Sequence, residues 1–523
     1  MTIFAFVADD FTGATDALWQ FRRFGFTGSL VTDVAHLHDR DDVIGLATTA
    51  RAEADPAAVV LPALRALAAL SPLVVQYKIC STFDSSPARG SIGSVIAALH
   101  REGLTGDRPV PVLAAQPEFG RYTWFANHFV RAGDEMLRLD RYPPMRDHPS
   151  TPATEADLRV RLAEQGAGRI GWLPPGAAYP EEGDAAFVAD ATTEDHLRAL
   201  GALLLTEARR RGPLYCVGSG GLTYALASAL TPHPQTPTPH PTQTTPTAPF
   251  DPTAPLSPDA SPTSVTPLGS GAPRGPAVPL GQSVLPGSGV PRGPAVPLGQ
   301  GASLGSGTPP GPAVPLSQGA SRGPVASSGP IVSSSLAALS GPVASSGSVA
   351  SGSGGLLGGG AVLGAAVPVL VVCGSRSPIT ARQIDTAERA GWRVLDVSEE
   401  VGAQVEASLR EGRHTIVQST RGPARDPADI GESLGRVAAA AVRAGLVGRL
   451  VVAGGDTSGQ VVAELGARSL DVIGTLAVGG PVCVLASDDP ACDGLEVALK
   501  GGQVGGDDYF LRAAAGTPAH PRT

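Results

Sequence analysis

Two adjacent carboxylates, Asp9 and Asp10, directly follow an apolar segment, Ile3 to Val7, near the start of the chain. The aromatic and β-branched residues of that segment predict a buried parallel strand, and the residues from about Thr12 onward predict a helix. A turn at the carboxyl end of such a strand lies where open α/β sheets bind ligands. Neighbouring like charges are costly unless a cation, a metal ion or a substrate hydroxyl shares the site. The pair therefore indicates a binding or catalytic site; alternatively, Asp10 and Thr12 only cap the helix.

A second polar loop follows the predicted strand that ends at Lys78. Lys78 offers a point charge, and the hydroxyl groups of Ser81, Thr82 and Ser85 offer hydrogen bonds, so the loop suits an anionic ligand rich in hydroxyl groups. The alternative is that this loop only starts a helix. Arg121 follows another predicted strand, and its planar guanidinium could bind a carboxylate.

Three predicted strands in the second half of the chain end in glycine-rich loops. Glycine lets backbone N–H groups approach a phosphate, hydroxyl side chains add donors, and a following helix contributes its positive end. The residues concerned are Gly374, Ser375, Gly454, Gly455, Asp456, Thr457, Ser458, Lys500, Gly501 and Gly502. Each loop alone is most often a tight turn, but three of them together favour an oligophosphate ligand. None has the spacing of a P-loop or of a full dinucleotide-binding fingerprint.

Composition limits the classes of function that fit the chain. The sequence has 523 residues and a formal net charge of -9, which argues against nucleic acid as a partner and favours a small molecule. The five cysteines are scattered without a C-x-x-C pair, so we expect neither a disulfide framework nor a zinc site, and a reducing compartment fits. No signal peptide or membrane-spanning segment is predicted. We therefore expect a cytoplasmic protein with no membrane partner.

Apolar strands alternate with amphipathic helices in two stretches of the chain, a pattern typical of parallel α/β folds. The predicted strands are Ile3 to Val7, Gly28 to Thr32, Val43 to Thr48, Leu73 to Lys78, Val110 to Ala114, Leu214 to Gly218, Val367 to Cys373, Trp392 to Asp396, His414 to Gln418, Leu450 to Ala453 and Val482 to Leu485. The predicted helices include Pro56 to Ala69, Ser91 to His100, Thr380 to Ala390 and Ile430 to Ala444.

We predict two α/β domains with mainly parallel sheets, residues 1–230 and 367–515, joined by a long low-complexity insertion and followed by a disordered tail, 516–523. The insertion, 231–366, is rich in Pro, Gly, Ser and Thr, and a nine-residue segment at 274–282 recurs with a period of 18 residues. Each repeat has too few aromatic, β-branched and charged residues to form a stacked core, so a disordered linker is the prediction.

Taken together, the motifs resemble the four-carbon acid sugar kinase family, and within it the 3-oxo-tetronate kinase branch. They are ADDFTGATD at 8–16, YKICSTFDSSP at 77–87, PEFGRYT at 117–123, NHF at 127–129, HPSTP at 148–152, GSRSPIT at 374–380, GGDTSG at 454–459 and LKGGQVG at 499–505. The resemblance covers both α/β stretches and excludes the insertion, where the family has a short connection.

The resemblance implies an N-terminal sugar-acid domain, a C-terminal nucleotide domain and ATP-dependent phosphorylation of the terminal hydroxyl of a four-carbon acid. We then expect the three glycine-rich loops to hold the ATP phosphates, with Mg²⁺ bridging them and Asp456 as a candidate metal contact. The acid sugar would lie against Asp9, Asp10, Thr12, Gly13, Lys78, Ser81, Thr82 and Arg121. Asp10 is the favoured catalytic base and Asp9 the alternative, and closure of the two domains would bring donor and acceptor together.

Three other functions fit part of the pattern. The chain could be a threonate or erythronate kinase of the same family, which would differ in the acid that it accepts. It could be a dehydrogenase or synthase that binds a dinucleotide, although the acidic ribose partner of that fingerprint is missing. It could also be a sugar-acid sensor that binds without turnover, and a homo-oligomer is compatible with each of these.

Overall fold

The structure is a computed structural model that describes residues 2–148, 150–181, 183–230, 363–422 and 426–517. Within these residues the strands are β1 (Phe4–Ala8), β2 (Gly28–Val31), β3 (Val43–Ala47), β4 (Val74–Lys78), β5 (Val110–Leu113), β6 (Arg121–Trp124), β7 (Asn127–Ala132), β8 (Glu135–Arg138), β9 (Ile170–Leu173), β10 (Ala186–Ala189), β11 (Leu214–Gly218), β12 (Val369–Cys373), β13 (Arg393–Asp396), β14 (Thr415–Gln418), β15 (Arg449–Ala453), β16 (Ala467–Ala477), β17 (Gly480–Ser487) and β18 (Glu496–Lys500).

The helices of the same residues are α1 (Phe11–Arg22), α2 (Pro56–Ala68), α3 (Ile92–Arg101), α4 (Pro143–Arg146), α5 (Leu158–Glu164), α6 (Glu194–Arg211), α7 (Gly220–Leu230), α8 (Pro378–Arg389), α9 (Val401–Arg410), α10 (Pro427–Arg443), α11 (Gly455–Glu464) and α12 (Tyr509–Ala515). The predicted strands and helices therefore form, with ends that move by a few residues. None of the helices described is long and apolar enough to cross a membrane.

Fifteen strands of the described chain form one sheet, in the order β13-β14-β12-β15-β18-β17-β16-β2-β3-β1-β4-β11-β5-β10-β9. Most neighbours are parallel, which confirms the predicted α/β class. The antiparallel pairs are β2–β16, β16–β17 and β17–β18. The short β2–β16 pairing joins the strands of the first half to those of the second half, a continuity that the sequence did not predict.

Burial on both faces explains why the central strands are apolar throughout. Every residue of β1 is buried, and its side chains alternate between two helical layers. Phe4 and Phe6 belong to the core that includes α1 and α7, and the rings of Phe4 and Phe21 lie 4.4 Å apart. Ala5 and Val7 belong to the core beneath α2 and α3. This layering places the carboxyl end of β1 in the middle of a rigid edge.

A small second sheet, β6-β7-β8, was not predicted from the sequence. Its first hairpin turns through Phe125 and Ala126, which have φ angles of 53° and 60°. Glycine or asparagine usually signals such a turn, because bulky residues rarely adopt positive φ. Here the carboxylate of Asp190 accepts hydrogen bonds from both backbone N–H groups, at 2.6 and 2.9 Å, and offsets the strain. The sheet carries Arg121 at its first position.

The predicted insertion lies outside the described residues except for its last four positions, and the tail is described only as far as Thr517. Leu363 and Ala366 are buried. The Ala366 N–H donates to the Ala514 carbonyl, and the Thr517 N–H donates to the Leu363 carbonyl. The chain that enters β12 therefore packs on α12, the last helix.

We expect Gly45→Ala to destabilise the fold. Gly45 on β3 faces Phe6 on β1, and a β-carbon at position 45 would lie 2.1 Å from the buried Phe6 ring. Overpacking of this kind costs about 1–3 kcal/mol, so thermal unfolding should shift to a lower temperature. Gly402→Ala in α9 is the matched control: its β-carbon would meet no atom within 4 Å, and the same exchange should leave the melting temperature equal or higher. Equal melting temperatures for both variants would contradict the packing described.

Candidate functional site

The three glycine-rich loops lie side by side because β12, β15 and β18 are adjacent parallel strands. The N–H groups of Gly374 and Ser375 both donate to the Ala453 carbonyl, at 3.0 Å, and the Gly454 N–H donates to the Lys500 carbonyl, at 3.0 Å. The carboxyl ends of parallel strands share one edge, so strand order alone gathers the loops. The structure thus brings together all ten residues that we singled out in the second half.

Glycine is required where these loops touch. A β-carbon at Gly374 would lie 2.0 Å from Oγ1 of Thr457, and Gly454 has a φ of 131°, which L-residues with a side chain rarely adopt. A β-carbon at Gly502 would lie 2.4 Å from Oγ of Ser375. The loops therefore form a floor of backbone with hydroxyl groups set into it. Such a surface can bind phosphate oxygens.

Lys500 supplies a buried positive charge beneath this floor. Its side chain is fully buried, and Nζ donates to Oγ1 of Thr380 at 3.2 Å. That hydroxyl in turn donates to the Gly502 carbonyl at 3.0 Å. The Tyr509 and Phe510 rings lie 5.7 and 5.9 Å from Nζ. Burial lowers the pKa of Lys500 to about 8, so the ammonium stays largely charged at neutral pH.

The two N-terminal carboxylates share the guanidinium of Arg51. Asp9 accepts from Nη2 at 2.6 Å and from Nε at 3.1 Å, and Asp10 accepts from Nη1 at 2.7 Å. Asp10 also caps α1, because its carboxylate accepts from the Gly13 N–H at 2.7 Å and from Oγ1 of Thr12 at 2.6 Å. The capping interpretation is therefore correct for Asp10 but incomplete. Arg51 is the cation that the adjacent charges require, and the sequence analysis missed it.

The two carboxylates differ in charge behaviour. Burial raises the pKa of Asp9 to about 6, against the opposing influence of Arg51. Burial acts on Asp10 as well, but Arg51, the Thr12 hydroxyl and Lys78 together hold its pKa below the usual value. Asp10 is therefore ionised across the neutral range, and Asp9 is the carboxylate that titrates closest to neutrality. The pKa of Arg51 is raised because, although burial disfavours its charge, Asp10 and Asp9 favour it more strongly.

Lys78 lies beside this turn at the end of β4. It is 2 % exposed, and its Nζ is 3.8 Å from Oδ2 of Asp16, a residue of α1 that our site prediction left out. Asp16 also accepts hydrogen bonds from the side-chain amides of Gln20, at 3.2 Å, and Gln116, at 3.4 Å. A β-carbon at Gly13 would lie 3.1 Å from Nζ of Lys78. These contacts fix the ammonium group next to the Asp10 turn.

The remaining predicted residues lie on a neighbouring loop and on the small sheet. Oγ1 of Thr82 contacts Sγ of Cys80 and Oδ1 of Asp84, and the Ser81 carbonyl lies 2.8 Å from Nε2 of His128. Arg121 donates from Nη1 to the Phe119 carbonyl at 2.8 Å.

Arg121 makes no hydrogen bond or ion pair with the Asp10 turn in the described part of the chain. Asp84 favours the charged form of both Arg51 and Arg121, so both guanidinium groups lie within electrostatic reach of the loop after β4. Nε of Arg121 is buried and has no hydrogen-bond partner within the described chain, and burial lowers the pKa of the side chain. An anionic ligand would satisfy this group.

The N-terminal residues around Asp10 and the glycine-rich loops meet at the N-terminus of α11. A β-carbon at Gly455 would lie 3.0 Å from Oδ2 of Asp10 and 3.8 Å from Nη1 of Arg51. Further along the edge, the Tyr142 hydroxyl donates to the side chain of Gln503 at 2.7 Å. Asp10 of the first half therefore faces the glycine-rich loop after β15 directly.

Asp456 directly follows Gly455 and is therefore next to this meeting point along the chain. Asp456 is exposed in the first turn of α11. No cluster of three or more acidic, His or Cys side chains suited to a metal occurs in the described residues. Mg²⁺ usually binds through one or two carboxylates together with phosphate oxygens. The donor set present fits that mode of binding.

Comparison with protein families matches both halves of the chain. Residues 4–226 match a model described as a sugar-binding N-terminal domain, and residues 370–510 match a nucleotide-binding C-terminal domain. The chain belongs to the four-carbon acid sugar kinase family. It is a carbohydrate kinase, and the predicted enzyme class is confirmed.

Several curated kinases are similar to this family member. A 3-oxo-isoapionate kinase from Paraburkholderia graminis is 28% identical over 97% of this chain and 93% of its own length. A 3-oxo-tetronate kinase from Methylobacterium radiotolerans is 32% identical over 43% of this chain and 54% of its own length. One of the same name from Escherichia coli is 33% identical over 41% of this chain and 56% of its own length. With these 3-oxo-tetronate kinases the match therefore spans about half of each protein.

Solved structures support the fold of the kinase. A Salmonella typhimurium LT2 protein aligns with a TM-score of 0.59 at 20% identity, covering 98% of both chains. A Haemophilus influenzae protein of the DUF1537 family aligns with a TM-score of 0.54 at 20% identity, covering 97% of this chain and 98% of its own. At this identity the likeness concerns architecture alone.

We expect opposite pH trends for the stability of Asp9→Asn and Asp10→Asn. The raised pKa of Asp9 means that its contribution to wild-type stability is present below its unfolded value of 3.8 and is lost as pH rises through about 6. Asp9→Asn should therefore gain stability relative to wild type over that interval. The lowered pKa of Asp10 means that its contribution is present above 3.8 and is lost at more acid pH.

Thermal unfolding of the wild type and both variants between pH 3 and pH 7 measures these trends. The difference in melting temperature, variant minus wild type, should rise with pH for Asp9→Asn and fall with pH for Asp10→Asn. Parallel trends would mean that the two carboxylates are not distinguished in the way described.

Proposed function

We propose that this kinase transfers the γ-phosphoryl group of Mg²⁺-ATP to the terminal, 4-hydroxyl group of a four-carbon sugar acid, with 3-oxo-tetronate as the acceptor. The observation that carries the proposal is the position of Asp10. Its carboxylate is held by Arg51 and lies against Gly455, at the N-terminus of α11 in the glycine-rich loop after β15. Donor and acceptor sites that meet at a carboxylate are what phosphoryl transfer to a hydroxyl requires.

The nucleotide side of the site is proposed from the backbone floor. The first turn of α11 offers backbone N–H groups, the hydroxyls of Ser375 and Thr457 add donors, and Lys500 adds a buried charge, which suits the phosphates of ATP. The Ser458 hydroxyl is buried and donates to the Gly454 carbonyl at 2.7 Å, so it supports the turn instead. Asp456 would hold Mg²⁺ together with phosphate oxygens. When bound, the ion neutralises charge that develops on those oxygens.

The acceptor side is proposed from the charges around α1. Lys78 and Arg121 would bind the carboxylate of the sugar acid, and the hydroxyls of Thr12, Ser81 and Thr82 would bind its polar groups. Lys78 ends β4, Ser81 and Thr82 lie on the loop that follows it, Thr12 is in the first turn of α1, and Arg121 is on the small sheet. The carbon skeleton would then be oriented with its terminal hydroxyl toward Asp10.

In the proposed reaction the terminal hydroxyl oxygen forms a bond to the γ-phosphorus while the bond from that phosphorus to the bridging oxygen of ADP breaks. The proton of the hydroxyl passes to Asp10. Asp10 is ionised at neutral pH and therefore able to accept it, although its low pKa makes it a weak base. Positioning then contributes more than basicity, as expected for a loose transition state. Arg51, next to both Asp10 and Gly455, would stabilise the transferring group.

The observation that favours a second acceptor is the relative that spans nearly the whole chain, whose name specifies 3-oxo-isoapionate. The full-length protein should be assayed with Mg²⁺-ATP and a panel that contains 3-oxo-tetronate, 3-oxo-isoapionate, threonate and erythronate. We expect ADP release with 3-oxo-tetronate and, by phosphorus NMR, a phosphate ester on its terminal carbon. ADP release at the background rate with every acid would refute the kinase proposal, and a clear preference for another acid would replace the acceptor.

Replacement of Asp10 by Asn should lower kcat by about 10²–10⁴-fold, the usual contribution of general base catalysis. Binding of ATP, measured by calorimetry, should stay within a few-fold of wild type because the phosphate loops are unchanged. Asp134→Asn, at an exposed position between β7 and β8, is the matched control and should keep full activity. An equal loss of ATP binding in the Asp10 variant would indicate a structural role in place of the catalytic one.

A further inference from the structure

A polar cavity of about 210 Å³ opens at the carboxyl ends of β13 and β14. It is lined by Glu388, Val394, Asp396, Gln418, Arg421 and Gly422. Asp396 and Gln418 are the last residues of the two strands and lie opposite each other in the sheet. None of these side chains takes part in the site described above.

Hydrogen bonds connect the segment that borders the cavity to the first glycine-rich loop. Gln418 is paired with Cys373 across β12 and β14, and the Ser419 N–H donates to the Cys373 carbonyl at 3.0 Å. Oγ1 of Thr420 donates to the Ser375 carbonyl at 2.7 Å. The loop that borders the cavity is thus hydrogen-bonded to the loop that would hold phosphate.

Strand order gives a direction to a bound nucleotide. The first half of the chain joins the sheet beyond β16, and Asp10 meets the loop after β15. The phosphate that is transferred must therefore point toward β15. The rest of the nucleotide must extend the other way, across β12 toward β14 and β13. Three strand spacings separate β15 from β13, about 14 Å, a span comparable with an extended nucleoside triphosphate.

We propose that this cavity binds the nucleoside part of the nucleotide, the ribose and the base. The proposal rests on the proposed kinase function, because it assumes that the triphosphate lies on the three loops. Asp396 ends its strand, and an acidic residue in such a place can accept hydrogen bonds from ribose hydroxyls. The side chain of Gln418 donates to the Asp396 carboxylate and orients it.

The other walls of the cavity suit a nucleobase. The Arg421 guanidinium is held by Glu388, at 2.8 Å, and by Asp385, so it presents a fixed planar group. A guanidinium plane can stack on an aromatic ring and can donate to ring nitrogens. Val394 adds an apolar contact. The backbone N–H of Arg421 donates to Oε1 of Gln418 at 2.8 Å, which ties the two sides of the cavity together.

Calorimetry with two probes separates the nucleoside from the phosphates. ATP carries both parts, and inorganic tripolyphosphate carries the phosphates alone. In the full-length protein, Asp396→Ala should raise the Kd for ATP about tenfold or more, as expected for loss of charge-assisted hydrogen bonds, and leave the Kd for tripolyphosphate within twofold. Asp396 is exposed, so the substitution should not disturb folding. Glu406→Ala, an exposed acidic residue paired with Arg410 on α9, is the matched control and should change neither constant.

A second variant tests the volume of the cavity. Val394→Phe should fill part of the cavity and weaken the binding of ATP without affecting the binding of tripolyphosphate. In turnover, both variants should raise KM for ATP and leave KM for the sugar acid unchanged.

The outcomes keep this inference distinct from the proposed function. Unchanged ATP affinity in both variants would overturn the inference and leave the kinase proposal intact. An equal loss of affinity for ATP and for tripolyphosphate would also overturn it, since the substitutions would then have disturbed the phosphate loops. If the wild type bound neither probe and released no ADP, the proposed function would fail, and this inference with it.

Discussion

The site depends on one electrostatic constraint, that two adjacent buried carboxylates must share a cation. Asp9 and Asp10 are 2 % and 5 % exposed, and without Arg51 their mutual repulsion and desolvation would force protonation of one of them. The Arg51 guanidinium is that cation, and it donates three hydrogen bonds to the two carboxylates. The two pKa values nevertheless move in opposite directions, because Asp10 also accepts hydrogen bonds from the Thr12 hydroxyl and the Gly13 N–H and lies near Lys78, whereas burial and the charge of Asp10 raise the pKa of Asp9. The other neighbours of the two carboxylates, rather than the shared guanidinium, make them unequal.

The carboxylate pair reaches the glycine-rich loops only because one continuous sheet carries both. The β2–β16 pairing is two residue pairs long, yet it carries the strands of the first half into the same edge as β18, β15 and β12. Small residues then allow close approach: Gly459 of α11 packs against Phe11 and Thr49, and Gly455 stands against Asp10. Direct contacts therefore join the carboxylate turn of the first half to α11 of the second half.

Local features of the fold and site were predictable, and distant pairings were not. The strand before Asp9, the turn at Gly13 and the glycine-rich loops are each encoded within a few residues, so composition and periodicity reveal them. Arg51 lies 42 positions from Asp9 on the loop after another strand, and only the parallel pairing of β1 with β3 brings it near. The β6–β7 hairpin was hidden because Phe125 and Ala126 turn the chain without glycine. Asp190, far along the chain, makes that turn tolerable.

Buried cations explain how a chain with a net charge of -9 can favour anionic ligands. Burial lowers the pKa of both Lys500 and Arg121, which is the cost of holding charge away from water. Within the described residues neither group has a carboxylate in ion-pair contact. An arriving phosphate or carboxylate would restore the missing partner, so the free energy held in these unpaired charges becomes available for binding. The acidic surface does not oppose this, because exposed charges more than about 8 Å away are largely screened at physiological salt. In the proposed function Lys500 would serve the phosphates of the nucleotide and Arg121 the carboxylate of the sugar acid, so each anion would meet its own cation.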